Sequence, residues 1–477
     1  VIHWFKSIPQ SVYILTIIGT LLCIFTNEVN RKYLDSPLKN QFGMVQTADE
    51  PSYIVPPQNW VTKGLWKDNS QGFAAFVQRP PGYGILYLVH YFVLGKSALL
   101  GLKWMQIVFF FLSGLVFWKI LEEFKLNKRG QLIALTLFMF LPSYSGFVYY
   151  SMTEGVTPFF TLWFVLESFQ SARTKKASFA LFFSFALLLL IRPQLAFLPI
   201  AVLIFHVIQR NWKVTLVILA SVFPIFLWYV RTSIITGETS STHPIYFSTN
   251  NSLYRPTHSS MTDLYRIWEW RSDVFHTHTG IASRGDSLKI ENLRKEIPAS
   301  FSNEIIPVLH QFGAINQYRI KHFSNKNIKG YFKGELAFSE RVNALRAKLI
   351  AEHPFVYYIK TPIMSSRDFL NKSYMNLYIF QAPLRGNFVI ESLRVICWLF
   401  IISSIGLFLL TPFLLSRKSL YFYLFVGICC FLFYLVFVQR LNEERYIVPI
   451  LPLFLALGIN NLKVMFERMR SLSRKSS

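Results

Sequence analysis

Ten stretches of this chain are apolar, close to membrane-spanning length and nearly free of charge, at approximately 8–27, 101–118, 131–152, 155–172, 177–191, 193–209, 213–230, 395–415, 419–438 and 446–462. A helix crosses the hydrocarbon core of a bilayer with roughly 20 mostly apolar residues, or fewer where charged ends reach back to the interface. About ten spanning helices are therefore expected. Of the 477 residues, 52% are hydrophobic and only 16% charged, against about 25% charged in an ordinary soluble domain. The stretch "PGYGILYLVHYFVLG", residues 81–95, is a further apolar piece and is expected to form a re-entrant or interfacial helix. The first run follows Lys6 without a small-residue cleavage site, so it reads as a retained span. With Val1 at the start, a short initial piece is expected to be missing.

The net charge is +24, from 49 Lys+Arg against 25 Asp+Glu. In a soluble protein that excess would suggest nucleic acid. Here the basic residues fall in short blocks between apolar runs, which points to membrane topology and anionic lipid instead. Nucleic acid is excluded as a partner. With the N-terminus inside, the inner connections become 119–130, 172–178, 209–213, 416–419 and the tail, each short and basic, provided 81–95 does not span. The organisation expected is a transmembrane module 1–230 with a first outer loop 28–100, a large outer loop or subdomain 231–391, and C-terminal helices with a basic tail, 392–477. Within 231–391, "SERVNALRAKLIAEHPFVYYIKTPI" has apolar residues at helical spacing and predicts an amphipathic helix broken at Pro354, followed by an interfacial one. Cys23, Cys397, Cys429 and Cys430 all lie in apolar runs and show neither metal-ligand spacing nor a disulfide framework.

Few acids are present, yet "TADEPSY" places Asp49 and Glu50 side by side in the first outer loop. An acidic pair in an exposed loop is most often solvated, or caps a helix. Other outer-face charges change that balance. Glu154 stands in "YYSMTEGVTPFF", Arg192 in "LLLLIRPQLAFLP" and Arg231 at the end of "FLWYVRTSIITG". Arg440, Glu443, Glu444 and Arg445 fill "VQRLNEERYIVP", and Lys103 opens the second span. Ionisable groups at membrane depth tend to face a bundle interior or a polar cavity, although a snorkelling boundary residue is the simpler account of any one alone. One acidic loop facing several cations around a shared cavity explains the set.

Breaking a glycosidic bond with a poor leaving group takes two carboxylates. Transfer from a lipid phosphate-sugar differs, because the leaving phosphate's charge can be held by Arg and Lys. Only the acceptor then needs deprotonating, and one carboxylate suffices. No Gly-rich phosphate loop supports a nucleotide donor.

In order, "DEPSY", "QRPPGYGILYLVHYFVLG", "MTEGVTPFF", "IRPQ", "WYVRTSIITG" and "EERYIVPILP" resemble the motifs of the GT-C superfamily of polytopic glycosyltransferases. The branch most similar contains the dolichyl-phosphate-mannose protein mannosyltransferases and the lipid A aminoarabinose transferases. The resemblance runs over nearly the whole chain. It implies an all-α polytopic membrane protein of GT-C fold with two long outer-face loops. It further implies an inverting transferase that moves a sugar from a polyprenyl-phosphate donor to a protein hydroxyl, a glycan or a lipid head group. Asp49 would be the acceptor-activating base and Glu50 its supporting neighbour. Tyr53, Lys103, Glu154, Arg192, Arg231, Arg440 and Arg445 would line the donor-phosphate and substrate cavity. Lys103 stands where relatives commonly carry Arg and offers a point charge, not a fork. No Asp-x-Asp is present, so no cofactor and no catalytic divalent metal are expected, and the scattered His243, His276 and His278 do not change that.

The competing readings are a flippase or transporter for a lipid-linked phosphate, and a non-catalytic scaffold subunit of an envelope complex. The setting expected is a bacterial inner membrane with a periplasmic site. The alternative is the endoplasmic reticulum with a lumenal one, where Asn250 and Asn371 match the glycosylation acceptor pattern.

Overall fold

The computed structural model describes residues 7–33, 42–47, 49–67, 79–236, 256–322, 329–371, 386–440 and 444–476. His243, Asn250 and Glu443 lie outside them. Among the described residues every regular element is a helix, and strand-like pairing is confined to one parallel bridge between Val45 and Tyr150.

The first helix, α1 (Gln10–Tyr33), shows how these sequences solve burial in lipid. Thr16, Thr20, Cys23, Asn27 and Asn30 are buried, while Ile14, Ile17, Ile18, Leu21 and Phe25 are 47–65% exposed. Spacings of three and four residues place each set on one face. The small and polar face turns inward, where packing and interhelical hydrogen bonds hold membrane helices together. Asn27 Nδ2 donates to the Ser145 carbonyl at 2.9 Å.

In the first outer loop, α2 (Glu50–Lys63) runs on through Pro56 and Pro57. Next comes α3 (Gly82–Leu94), which doubles back against the first turns of α4 (Ala98–Glu123). Its Tyr83 hydroxyl meets Gln106, and His90 meets Met105. Thirteen residues rise about 20 Å, well short of the roughly 30 Å hydrocarbon core. On its own, then, α3 is too short to cross. A Cβ at Gly82 would stand 2.5–2.7 Å from the backbone of Leu190 and Ile191, and one at Gly84 would stand 2.8 Å from Trp66 and 3.0 Å from the Tyr53 carbonyl. Glycine at both positions lets α3 pack directly on two backbones.

The run 131–152, expected as one span, divides. The helix α5 (Lys128–Phe140) is capped by Asn127, whose side chain accepts from the Gly130 amide, and it stops before Pro142. Residues 146–156 then follow as short turns that are almost wholly buried. Buried irregular backbone at this depth needs hydrogen-bond partners. It finds them in Val45, bridged to Tyr149 and Ser151, and in Gln106, whose Nε2 donates to the Val148 and Tyr150 carbonyls at 2.7 and 3.1 Å.

Beyond it come α6 (Thr157–Thr174), α7 (Phe179–Ile191), α8 (Phe197–Ile208), α9 (Trp212–Ala220) and α10 (Phe223–Thr236). Of the ten expected spans, six lie in helical stretches long and apolar enough to cross a membrane: Gln10–Lys32, Gly82–Glu123, Trp212–Ile235, Phe388–Leu409, Leu420–Gln439 and Val448–Ser471. Phe179–Ile191 and Pro193–Ile208 are shorter apolar helices, separated at Arg192–Pro193. Proline there removes an amide donor and disfavours a helical residue before it.

Within 231–391, residues between Met261 and Tyr357 gather around an apolar core separate from that of the membrane bundle, on which Leu370 packs instead. It is built from α11 (Pro256–Tyr265), α12 (Ser272–Ser283), α13 (Ala299–His322) and α14 (Lys329–Glu352). A π-turn at Val356–Lys360 leads into α15 (Thr361–Leu370). The chain returns to the bundle through α16 (Phe388–Leu409), α17 (Leu420–Phe433) and α18 (Leu451–Ser476).

The short basic connections meet at one end of the bundle. Arg173 pairs with Glu123 at 2.8 Å, the Tyr421 hydroxyl donates to the Glu123 carbonyl, and Lys463 Nζ donates to the carbonyls of Phe124 and Lys125. The acidic loop lies at the other end.

Candidate active site

Asp49 sits at the N-cap position of α2, where an aspartate commonly accepts from the helix amides, but its side chain makes no capping bond. Its carboxylate turns toward two arginines from distant parts of the chain. Oδ1 accepts from Arg79 Nη2, and Oδ2 accepts from Arg445 Nη1 at 2.8 Å. Arg79 also donates from Nε to Ser52 Oγ at 3.3 Å, and Ser52 Oγ donates to the Asp49 carbonyl. Aromatic rings hold the guanidiniums from the side: Arg79 lies 5.4 Å from the Tyr53 ring centroid and Arg445 lies 5.3 Å from that of Tyr446. Such cation–π contacts position a charge without neutralising it.

The second ion pair is deeper. Glu154, on the turn before α6, accepts from Arg192 Nη2 at 2.6 Å, and their side chains are only 1% and 7% exposed. Arg192 also lies 5.3 Å from the Tyr446 centroid, so that one ring stands against Arg192 and Arg445 together. Arg192 Nη1 is buried without a hydrogen-bond partner. Tyr53 meets Tyr83 edge-on at 5.2 Å, and the Tyr83 hydroxyl donates to Gln106 Oε1 at 2.8 Å. The fully buried Gln106 thereby links the tyrosines to the irregular segment that carries Ser151 and Glu154.

The adjacent carboxyls are electrostatic opposites. Burial disfavours the Asp49 charge, but Arg79 and Arg445 outweigh it and hold that carboxyl below its usual value. Glu50 is 3% exposed, and its Oε2 has no hydrogen-bond partner. Burial pushes Glu50 above its usual value, and its interaction with Ser151 offsets only part of that.

The structure thus brings together Asp49, Glu50, Tyr53, Glu154, Arg192 and Arg445 and adds Arg79, Tyr83, Gln106 and Tyr446. Three of the residues expected in the cavity bond elsewhere. Lys103 pairs with Glu28 at 2.8 Å and caps the Tyr149 ring at 4.2 Å. Arg231 lies 4.8 Å from the Trp228 centroid, and Trp228 packs edge-on against Trp66. Arg440 donates to the carbonyls of Arg266 and Tyr357 and covers the Tyr357 ring at 3.5 Å. His278 bonds Glu296 inside the outer subdomain, and His276 is exposed. Among the described residues, no three His, Cys, Asp or Glu stand close enough to hold a metal ion.

Chemically, the arrangement sets guanidinium donors around a carboxylate. Fork-shaped guanidiniums suit phosphate and carboxylate oxygens, and an ionised carboxylate between them can accept a proton.

No protein-family model and no curated protein sequence matches the chain. Among solved structures it is similar to the Archaeoglobus fulgidus oligosaccharyltransferase, crystallised tethered to an acceptor peptide containing the NVT sequon via a disulfide bond. The likeness is at 13% identity with a TM-score of 0.48, and it covers 98% of this chain and 51% of that one. The chain spans about half the length of that protein.

Proposed function

We propose that this chain is an integral membrane glycosyltransferase of the GT-C type. It would move one sugar, with inversion, from a polyprenyl-phosphate carrier to an acceptor at the end of the bundle opposite the short basic connections. The observation that carries the reading is the Asp49 carboxylate between Arg79 and Arg445, beside the buried Glu154–Arg192 pair.

In the reaction an acceptor oxygen attacks the anomeric carbon as the bond from that carbon to the phosphate oxygen breaks. The acceptor proton passes to Asp49. The electron pair leaves with the polyprenyl phosphate, whose growing charge is met by the guanidiniums. Glu154 holds Arg192 in a buried position through Nη2, leaving Nη1 available to the phosphate. A protein hydroxyl, a glycan or a lipid head group would serve as acceptor. The setting proposed is a bacterial inner membrane with the site facing the periplasm, and the reaction takes no divalent metal.

The test is turnover by purified protein in nanodiscs with a panel of radiolabelled polyprenyl-phosphate sugars and candidate acceptors, wild type beside Asp49→Asn, with and without EDTA. Sugar transfer by wild type that falls by roughly 10²–10⁴-fold in the variant is the expected result for a lost general base. Equal turnover by the two proteins would remove Asp49 from the chemistry. EDTA is expected to leave the rate unchanged.

A further inference from the structure

We infer that Asp49 is the resident counter-ion of the phosphate site: the donor's phosphate must displace it from Arg79 and Arg445, and this displacement frees it to act as base. The inference rests on the transferase reading for the identity of the ligand, and its own test is a binding measurement that needs no turnover.

Two observations carry it. Each oxygen of Asp49 is taken by a different arginine, so in the structure as it stands the carboxylate and an incoming phosphate compete for the same donors. The arginines are placed by other groups as well, Arg79 by Tyr53 and Ser52 and Arg445 by Tyr446, so the cation site does not depend on Asp49 for its shape.

The chemistry requires such an exchange. Two guanidiniums keep Asp49 ionised, but the same charges make it a weak base, since an opposite charge nearby favours the charged form. The donor's phosphodiester, with one negative charge, takes those cations over, and the polyprenyl phosphate released, with up to two, is held by them in turn. The carboxylate then faces the phosphate, Glu50, Tyr53 and the already paired Glu154–Arg192, so its affinity for a proton rises at the moment an acceptor needs one. Without donor the base stays masked.

The experiment is equilibrium binding to full-length protein in nanodiscs, with farnesyl phosphate and inorganic phosphate as separate probes. The proteins compared are wild type, Asp49→Asn, Asp49→Ala and Arg445→Gln. Both Asp49 variants are expected to bind farnesyl phosphate tighter than wild type by roughly tenfold, the scale of a lost charge-assisted competitor, while Arg445→Gln binds more weakly. Tightening toward inorganic phosphate as well would show that the phosphate group alone displaces Asp49. Tightening confined to farnesyl phosphate would show that the lipid chain is needed to deliver it. If Asp49→Asn and Asp49→Ala bind at wild-type strength or below while Arg445→Gln still weakens binding, the phosphate reaches the arginines without displacing Asp49. The inference then falls and the transferase reading stands. If no version binds either probe, both fall.

Discussion

At Glu50 a buried carboxyl has one oxygen without a partner, whereas at the preceding residue both oxygens are engaged by arginine. The two should therefore pull stability in opposite directions with pH. Glu50 is raised by burial, so below its unfolded value, about 4.3, it is neutral in both states and without effect. As pH rises through the folded value, the unfolded chain loses the proton first and stability falls. Glu50→Gln is expected to raise Tm at pH 7 and to lose that advantage below about pH 4; a lower Tm at pH 7 would mean the carboxylate is held charged. Asp49 is held low, so its contribution is full above about pH 4 and is lost as pH falls through the folded value. The Glu154–Arg192 pair is a different case. Removing one partner strands a buried charge, and Glu154→Ala should cost about 3–5 kcal/mol in thermal or chemical unfolding. Asp49 and Glu154 were legible because acids are scarce in this chain. Arg79 was not singled out, although it stands in the motif "QRPPGYGILYLVHYFVLG", because its contact with Asp49 depends on α3 bringing the end of the first loop back to its beginning. The pairing of Lys103 with Glu28 was not legible, because Glu28 is on a helix whose outer end the apolar pattern alone stops at residue 27.

Among the elements, the long spans were readable because lipid imposes one requirement on every turn of a helix. What the hydropathy could not separate was a spanning helix from apolar chain that stops halfway. Residues 146–156 are as charge-free as a span up to Met152, yet they are coiled and buried because Gln106 and Val45 supply their hydrogen bonds. The α3 helix, read as re-entrant or interfacial, is too short to cross and leaves Val89, Phe92 and Val93 57–78% exposed. An apolar face of that kind on a membrane protein belongs in lipid. Cysteines placed at Val89 and Val93 should resist an aqueous maleimide and be quenched, once labelled through a permeant reagent, by a lipid-soluble quencher. A cysteine at Lys96, at the turn into α4, should react freely. Aqueous labelling of all three at one rate would put α3 in water.

At the scale of the whole molecule, two bodies with separate cores have to hold one site in register. Arg440 is the joint. It ends the segment Leu420–Gln439 in a left-handed conformation with φ of 53°, and it is 6% exposed. Its two Nη groups donate to carbonyls of the outer subdomain, Arg266 just after α11 and Tyr357 in the π-turn. Trp398 Nε1, donating to Asn371 Oδ1 at 2.6 Å, is a second tie. Arg445, which reaches Asp49, follows Arg440 by five residues. Losing the guanidinium leaves two carbonyls without donors, about 1–3 kcal/mol each where they are buried. Because the subdomain and the bundle each keep their own core, that loss should loosen the connection and leave both bodies folded. Arg440→Ala is therefore expected to make segments flanking 256–370 cleavable in limited proteolysis and to weaken acceptor use, read as a rise in KM for the acceptor. Far-ultraviolet helicity and the main thermal transition should stay close to wild type. Arg440→Lys should not restore the wild-type pattern, since one ammonium cannot reproduce a fork that spans two carbonyls. Collapse of the main transition in Arg440→Ala would show instead that the two bodies fold as one cooperative unit, with Arg440 part of their common core.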